Sequence, residues 1–575
     1  MLPEARLDGK VVFLVNSVVE RARKMRPDLT DFDVMPGLWI DRCELVEASD
    51  YLDNVYERLG VKLGFFLSRI HNVAYPPIFW QIPLGTWLVH YLQAMYDRYS
   101  RLKAAVKIYG GKYLTVLEHR YESRPPAGFA ELMEKMSVDE QAISFFYGII
   151  AREIGLPVYH FETGQIDTVV RKKSAWQHFQ ARSTFRSRLS RWVHSNFFMG
   201  NNVLMSPYVF NWQDKRVFSR KIDAAFFPMG NTKTEQKPIQ RATLREIAAD
   251  DEFENLAVRL LPIFMPTYLL EDFDSYHKNA RQWTDYKVYF SADEWHGNIP
   301  LAYAASLGRL KGAKIVGCQH GGGYGQFERT PLEFVERGFC DYYITWGWTD
   351  NLYKGASLIP LPQPNLSKIK KRSGSKMRAN ILWAGTLMHK QLMRFTNKVP
   401  DKMHIFHKDI TVFLEGLDRK VRAALVYRPH TVNSLWRGDE QDLFKGYPEV
   451  RIENSRPFNE VLAEARMFIC DHQSTSFMEA LVADTPTILF WNSALIDERP
   501  SVSESFDALR GAGILFHDPI EAACQVNAVW DSVEEWWQQP IRQKARCEFI
   551  NKFCLAAPDW QEHWIKQFDT IMAAS

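Results

Sequence analysis

Paired cysteines are missing from this chain. Its seven cysteines, Cys43, Cys318, Cys340, Cys470, Cys524, Cys547 and Cys554, are odd in number, scattered and nowhere arranged as CxxC, which argues against a disulfide framework or a structural zinc site and for a reducing compartment. An excess of charge of one sign is missing too. Lys and Arg number 71 and Asp and Glu 68, for a formal net charge of +3. That is too balanced for a dedicated nucleic-acid binder, so anion recognition has to come from local patches. Apolar runs fall short of what a membrane needs. The run over 11–15 is far shorter than a signal-peptide core and reads as a first strand. The stretch 78–96 is broken by Gln81, Pro83, His90 and Gln93, where a spanning helix needs ~20 mostly apolar residues. No repeat with a period of about 20–50 residues and no low-complexity tract occurs, which sets aside solenoids and propellers. Neither GxxxxGK followed by Ser or Thr nor GxGxxG is present, so no P-loop and no dinucleotide fingerprint is supported.

What the chain does have is material for more than one core. At 575 residues and 46% hydrophobic it exceeds the ~250–300 residues at which a single core stops growing. Its 24% charged and 14% aromatic residues are the composition of a folded chain. Residues 49–155 read as largely helical, with aromatics concentrated over 80–99, and a strand follows at 157–161. Beyond Tyr286 a strand (287–290), a helix (299–310) and strands at 313–318 and 342–346 alternate. Such order gives parallel strands with ligands at their carboxyl ends. Prolines and then Lys368, Lys370, Lys371, Arg372, Lys376 and Arg378 mark a basic linker over 361–378. Strands at 379–384, 423–427, 450–453, 467–470 and 487–491 build a second unit. The expectation is an α/β protein with a first domain over 1–360 carrying helical insertions, a second over 379–526, and a Trp-rich helical tail over 527–575 able to cross back. Two doubly wound, Rossmann-like domains facing a cleft is the GT-B plan.

Four motifs carry chemistry. A strand ends at Cys470 and runs into Asp471-His472-Gln473-Ser474-Thr475-Ser476, with Glu479 in the helix beyond. Ser474, Thr475 and Ser476 can cap that helix, and its N–H groups at the positive end of the dipole make a phosphate site; the same hydroxyls also occur in ordinary caps. Arg428-Pro429-His430 leaves a strand at the same sheet edge, where Arg428 offers a fork to phosphate and His430 a hydrogen bond or a proton. In the first unit, Gln319-His320-Gly321-Gly322-Gly323-Tyr324-Gly325 follows a strand, and three successive glycines let backbone approach a ligand closely. Asp293 and Glu294 follow another strand, placed for proton transfer, although acids there also cap helices. Basic and aromatic residues interleave from Arg171 to Trp192, which suits either contact with anionic lipid or a solvated helix face.

In these motifs, and in the stretch Trp80-Gln81-Ile82-Pro83-Leu84-Gly85-Thr86-Trp87, the chain resembles over most of its length a family of transferases encoded among O-antigen and nonulosonic acid genes. More distantly, its second half is similar to CMP-dependent GT-B glycosyltransferases, namely capsule Kdo transferases and bacterial sialyltransferases, and to CDP-glycerol glycerophosphotransferases. By that resemblance Arg428, His430, Ser474, Thr475 and Ser476 hold the donor phosphate and Glu479 meets the ribose. The order here is Pro429-His430 rather than His-Pro. Gly321, Gly322 and Gly323 join the donor side, with Asp293, Glu294 and His320 as catalytic candidates and the first domain on the acceptor side. The implied reaction is transfer of a sugar, a CMP-activated ulosonic acid such as Kdo, onto a bacterial surface glycan (O-antigen, lipopolysaccharide or capsule). A helix N-terminus with Arg428 can stabilise one leaving phosphate without a metal, no DxD stands at a persuasive strand end, and no organic cofactor is expected. A UDP- or GDP-sugar donor, glycerol-phosphate transfer and a non-catalytic glycan-assembly role stand as alternatives. Expected partners are the nucleotide-sugar donor and a glycan or lipid-linked glycan acceptor, with peripheral membrane contact and no nucleic acid. The expected location is the cytoplasm, free or on the inner face of the cytoplasmic membrane.

Overall fold

The computed structural model describes residues 4–7, 10–15, 19, 27, 29–111, 114–121, 123–161, 200–206, 209–228, 234–369, 380–386, 389–396, 399–430 and 443–574. The basic-aromatic stretch from Arg171 to Trp192 and most of the linker lysines lie outside these residues.

Three sheets organise them. The first is five-stranded and mixed. It comprises β1 (Glu4–Leu7), β2 (Lys10–Phe13), β3 (Phe32–Val34), β4 (Leu114–His119) and β5 (Val158–Phe161) in the order β3-β2-β1-β4-β5, with β1 antiparallel to both neighbours. The stretch 49–155 is largely helical, as expected, with β4 interrupting it: helices Arg42–Ile70 and Pro77–Tyr109 fill much of it, Gly110, at φ 77°, ends the second, and the buried run of β4 then pairs with β1.

The second sheet comprises β6 (Val203–Met205), β7 (Ala224–Phe226), β8 (Val288–Ser291), β9 (Lys314–Cys318), β10 (Tyr342–Thr345) and β11 (Ser357–Pro360) in the order β11-β10-β9-β8-β6-β7, every pair parallel. The third comprises β12 (Asn380–Ala384), β13 (Leu425–Arg428), β14 (Arg451–Ile452), β15 (Ala465–Cys470), β16 (Thr487–Phe490) and β17 (Leu515–Phe516) in the order β14-β13-β12-β15-β16-β17, again all parallel. Every residue of β8, β13 and β16 is buried, as a parallel sheet covered on both faces requires. Strand order reverses between β6 and β8 in one sheet and between β12 and β15 in the other, and such a reversal opens a crevice at the carboxyl ends. Those ends face each other, because Gly322, after β9, lies against the Ser474–Thr475 backbone, after β15. The architecture is α/β of the GT-B type.

Three features join the units. Helix Pro77–Tyr109 is buried along most of its length, and it reaches the second unit through polar atoms. Arg101 pairs with Asp97 and, at 2.7 Å, with Asp401, Arg98 donates to the Leu392 carbonyl at 3.0 Å, and Gln93 accepts from the Phe395 amide at 2.8 Å. With Asp97, Arg98 and Arg101 inside it, this is a core helix, and among the described residues no helix is long and apolar enough to cross a membrane. The terminal helix Trp560–Ala573 lays Trp560, Trp564, Phe568 and Ile571 against Phe210, Phe218 and Phe290 of the first unit, and Trp564 donates to the Pro362 carbonyl at 2.8 Å. The third feature is ionic. Arg499 of the second unit donates to both oxygens of Glu333, at 3.0 and 2.8 Å, and to Asp350 and the Phe327 carbonyl of the first. Arg337 completes the network at 3.0 Å from both acids. All four side chains are buried, so two cations and two carboxylates compensate one another away from water.

Removing one partner leaves a buried carboxylate without its cation, at a cost of about 3–5 kcal/mol. Arg499→Ala is therefore expected to lower the unfolding free energy by about that amount in urea titrations, and a change below about 1 kcal/mol would show that the network does not join the units.

Candidate active site

The donor-side candidates gather where strand order reverses in the third sheet. β15 ends at Cys470, and helix Thr475–Val482 starts five residues later. Here the structure corrects one expectation: Ser474, at the N-cap, makes no side-chain capping bond, and its Oγ lies 3.6 Å from Cys470 Sγ instead. The first N–H groups of the helix are thus left without a side-chain acceptor, which is the condition for binding an anion there. Thr475 and Ser476 are half-buried at the same end. One turn further, Glu479 has its carboxyl raised by burial to about 7.

Arg428 is the last residue of β13, next to β12, and only 8% of it is exposed. Its Nη1 is buried and finds no hydrogen-bond partner among the described residues. His430, two residues on, is exposed. Gln473 also keeps both amide atoms buried and unpartnered. Unmade hydrogen bonds on buried polar groups are costly, so this concentration at one sheet edge calls for an absent partner with acceptor atoms. His472, beside it, is satisfied: Nδ1 lies 2.7 Å from Asp471, which in turn accepts from Trp383.

The acceptor-side candidates follow β8 and β9. Two of the three glycines after His320 have a steric reason. A Cβ on Gly322 would sit 2.3 Å from the Ser474 carbonyl carbon and 2.4 Å from the Thr475 nitrogen, and one on Gly323 would strike the Phe327 ring, whereas Gly321 has room. The close approach at Gly322 is made to the N-terminus of the opposite helix, not to the ligand that the three glycines predict. His320 stands beside this contact with Nε2 2.5 Å from the Tyr324 hydroxyl, 3.3 Å from His296 Nε2 and 3.3 Å from Glu336 Oε1. Asp293 lies on the same side: its Oδ1 is buried without a partner, and burial raises its carboxyl against the opposing pull of His320 and His296. Glu294 turns the other way, towards Ser206 after β6, Asn298 and Lys215, and burial raises it to about 7.

The structure therefore brings Asp293 and His320 together, sets Gly322 on Ser474 and Thr475, and places Arg428 and Glu479 on the facing sheet edge, while Glu294 faces into its own unit. Reading the sequence missed His296, Tyr324, Glu336, Arg394 and Gln473. His296 and Tyr324 stand inside motifs already singled out, within a few residues of Asp293 and His320, and were findable by asking what surrounds a strand end. Glu336 sits in helix Pro331–Phe339 with no local signature. Arg394 is a half-buried cation whose neighbour is Tyr324 of the first unit; loss of hydration lowers its guanidinium, and Tyr324 opposes that.

A two-unit α/β transferase architecture, with polar residues converging on the cleft between its units, is the class these features define. Residues 4–568 match the LIC12162 family transferase, and the chain belongs to that family. No curated protein matches it in sequence. Among solved structures it is similar to Acinetobacter baumannii MurG (11% identity, 64% of this chain and 99% of that one, TM-score 0.33), to the wall teichoic acid polymerase TagF with CDPG (11%, 69% and 98%, 0.32) and to S. aureus MnaA with UDP (11%, 65% and 97%, 0.34). Likenesses at this level bear on neither donor nor acceptor.

Glu479 gives the site a pH signature. Its folded carboxyl, at about 7, lies above the ordinary 4.5, so the folded chain binds that proton more tightly than the unfolded one. The corresponding stability is fully present below pH 4.5 and is lost as pH rises to about 7. Glu479→Gln removes the loss. The melting-temperature gain of the variant is expected to grow between pH 4.5 and about 7 and then level off; a pH-independent difference would mean that Glu479 does not titrate in that window.

Proposed function

We propose that this transferase is a glycosyltransferase and that it moves a CMP-activated ulosonic acid such as Kdo onto a bacterial surface glycan. The observation that carries the reading is Arg428, buried with Nη1 unpartnered, on the same sheet edge as a helix N-terminus that no side chain caps. A guanidinium fork and a helix dipole suit a single phosphate, the only one a CMP donor carries. Ser474, Thr475, Ser476 and His430 add hydrogen bonds to it, Glu479 accepts from the ribose, and Gly321, Gly322 and Gly323 close the donor side from the opposite unit.

The first unit then supplies proton transfer. The acceptor hydroxyl gives its proton to Asp293 as its oxygen attacks the anomeric carbon. The bond from that carbon to the phosphate breaks, and its electron pair leaves with CMP, where Arg428 and the helix meet the charge. His320 lies beside Asp293 and stabilises its ionised form.

Calorimetric titration with CMP tests the donor site. Arg428→Ala and His430→Ala are each expected to weaken binding by roughly tenfold to a hundredfold, the loss of one charge-assisted contact of ~1.5–3 kcal/mol. CMP affinity is expected to be the same with and without chelator. Unchanged affinity in both variants would remove them from the site, and tight UDP or GDP binding without CMP binding would replace the donor.

A further inference from the structure

We propose that His296, His320 and Glu336 form a binding site for one divalent transition-metal ion on the acceptor side of the cleft. The three residues come from successive segments of the first unit: a turn after β8, the loop after β9, and helix Pro331–Phe339 before β10. Their ligand atoms converge. His296 Nε2 lies 2.8 Å from Glu336 Oε1, His320 Nε2 lies 3.3 Å from the same oxygen, and the two nitrogens are 3.3 Å apart. Bonds of about 2.0–2.2 Å to a tetrahedral ion put neighbouring ligand atoms roughly 3.3–3.5 Å apart. Two sides of the triangle, both 3.3 Å, match that, the third, at 2.8 Å, has to open by about half an ångström, and an ion capping the three keeps a position open for water or a hydroxyl.

The surroundings of Glu336 point the same way. Glu336 is fully buried, and the groups against its Oε1 are two imidazole nitrogens, at 2.8 and 3.3 Å, which are themselves metal-ligating atoms. The rest of its surroundings orient it: Oε2 accepts from the Tyr343 hydroxyl at 2.7 Å. His296 is held from behind in the same manner, with Nδ1 2.6 Å from Thr86 Oγ1. A proton on Nδ1 in that bond leaves the Nε2 lone pair for a metal, the usual outer-shell arrangement of a ligating histidine. Two imidazoles and one carboxylate suit zinc and its neighbours rather than magnesium or calcium. The site departs from the expected metal independence without touching the donor phosphate, which Arg428 and the helix hold. An ion there lowers the pKa of an oxygen at its open position, a role for the acceptor hydroxyl next to Asp293.

Cys470, Asp471 and His472 are the competing cluster. They are consecutive and already bonded to one another and to Trp383, and they include a thiol, which makes the two clusters separable by spectroscopy. Chelator-stripped protein is titrated with Co²⁺ and followed by visible absorption and equilibrium dialysis, with no nucleotide present, so the result stands apart from the donor assignment. The expected result is one Co²⁺ per chain, d–d bands and no thiolate charge-transfer band. His320→Ala and His296→Ala abolish the bands while circular dichroism melts stay cooperative, and Cys470→Ser leaves them intact. Thr86→Val, which keeps all three ligands, lowers Co²⁺ affinity by about 10–100-fold, even if a histidine variant fails to fold. No stoichiometric uptake by the parent protein, full affinity in Thr86→Val, or a thiolate band lost in Cys470→Ser would each overturn the assignment.

Discussion

The ion pair between Arg499 and Glu333 decides how the two parallel sheets meet. A guanidinium with almost no water contact has to find its compensating charge on the other unit, and it does so in a fork that fixes orientation as well as distance. Around it the segment at Phe327 and Glu328 pairs with Asp497 and Glu498, so the loop after Gly325 is tied down along its length. Once that register is set, Gly322 falls on the N-terminus of helix Thr475–Val482, His320 faces the cleft, and Tyr324 comes beside Arg394. A buried salt bridge is a poor source of net stability compared with a hydrophobic replacement. Its use here is geometric, since it permits one closure of the two units and penalises the others.

Helices Arg42–Ile70 and Glu140–Glu153 are capped by Asp41 and Asp139, and the helix Trp212–Lys221 has a full capping box. At the cleft several local preferences go unmet together: the helix at Ser474 has no side-chain cap, Arg428 and Gln473 hold buried donors with no partner among the described residues, and Asp293 and Glu479 carry carboxyls that burial pushes upward. Departures gathered at one place fit a site shaped for something other than stability.

Much of this was readable in the residues. The strands around Val288, Ile315, Leu382, Val426 and Phe468 announce themselves as short apolar runs between polar loops, and helix Ile299–Leu310 has the predicted bounds. Strand ends then locate Asp293, His320, Arg428 and Ser474 without further information, because a parallel sheet presents all its carboxyl ends on one side. The short strands Val203–Met205 and Ala224–Phe226 escaped, being three residues each and no more apolar than a loop lying on a core. Glu336 and Arg394 escaped for a different reason. Their significance comes from the side chains that surround them across long sequence separations, and no local pattern encodes that. The capping role given to Ser474 failed because the hydroxyl has a choice of neighbours, Cys470 Sγ among them, and no local pattern decides between them.

The terminal helix has a consequence for how the protein comes into being. The apolar surface formed by Phe210, Phe218 and Phe290 is covered by Trp560, Trp564, Phe568 and Ile571, which are translated long after it. With chain growth at about 5–20 residues per second, the stretch between Pro360 and Trp560 keeps that surface waiting for roughly 10–40 s. During this interval the nascent first unit exposes an aromatic surface that a later part of its own chain covers, so the unit whose strands are translated first is completed only after those of the second.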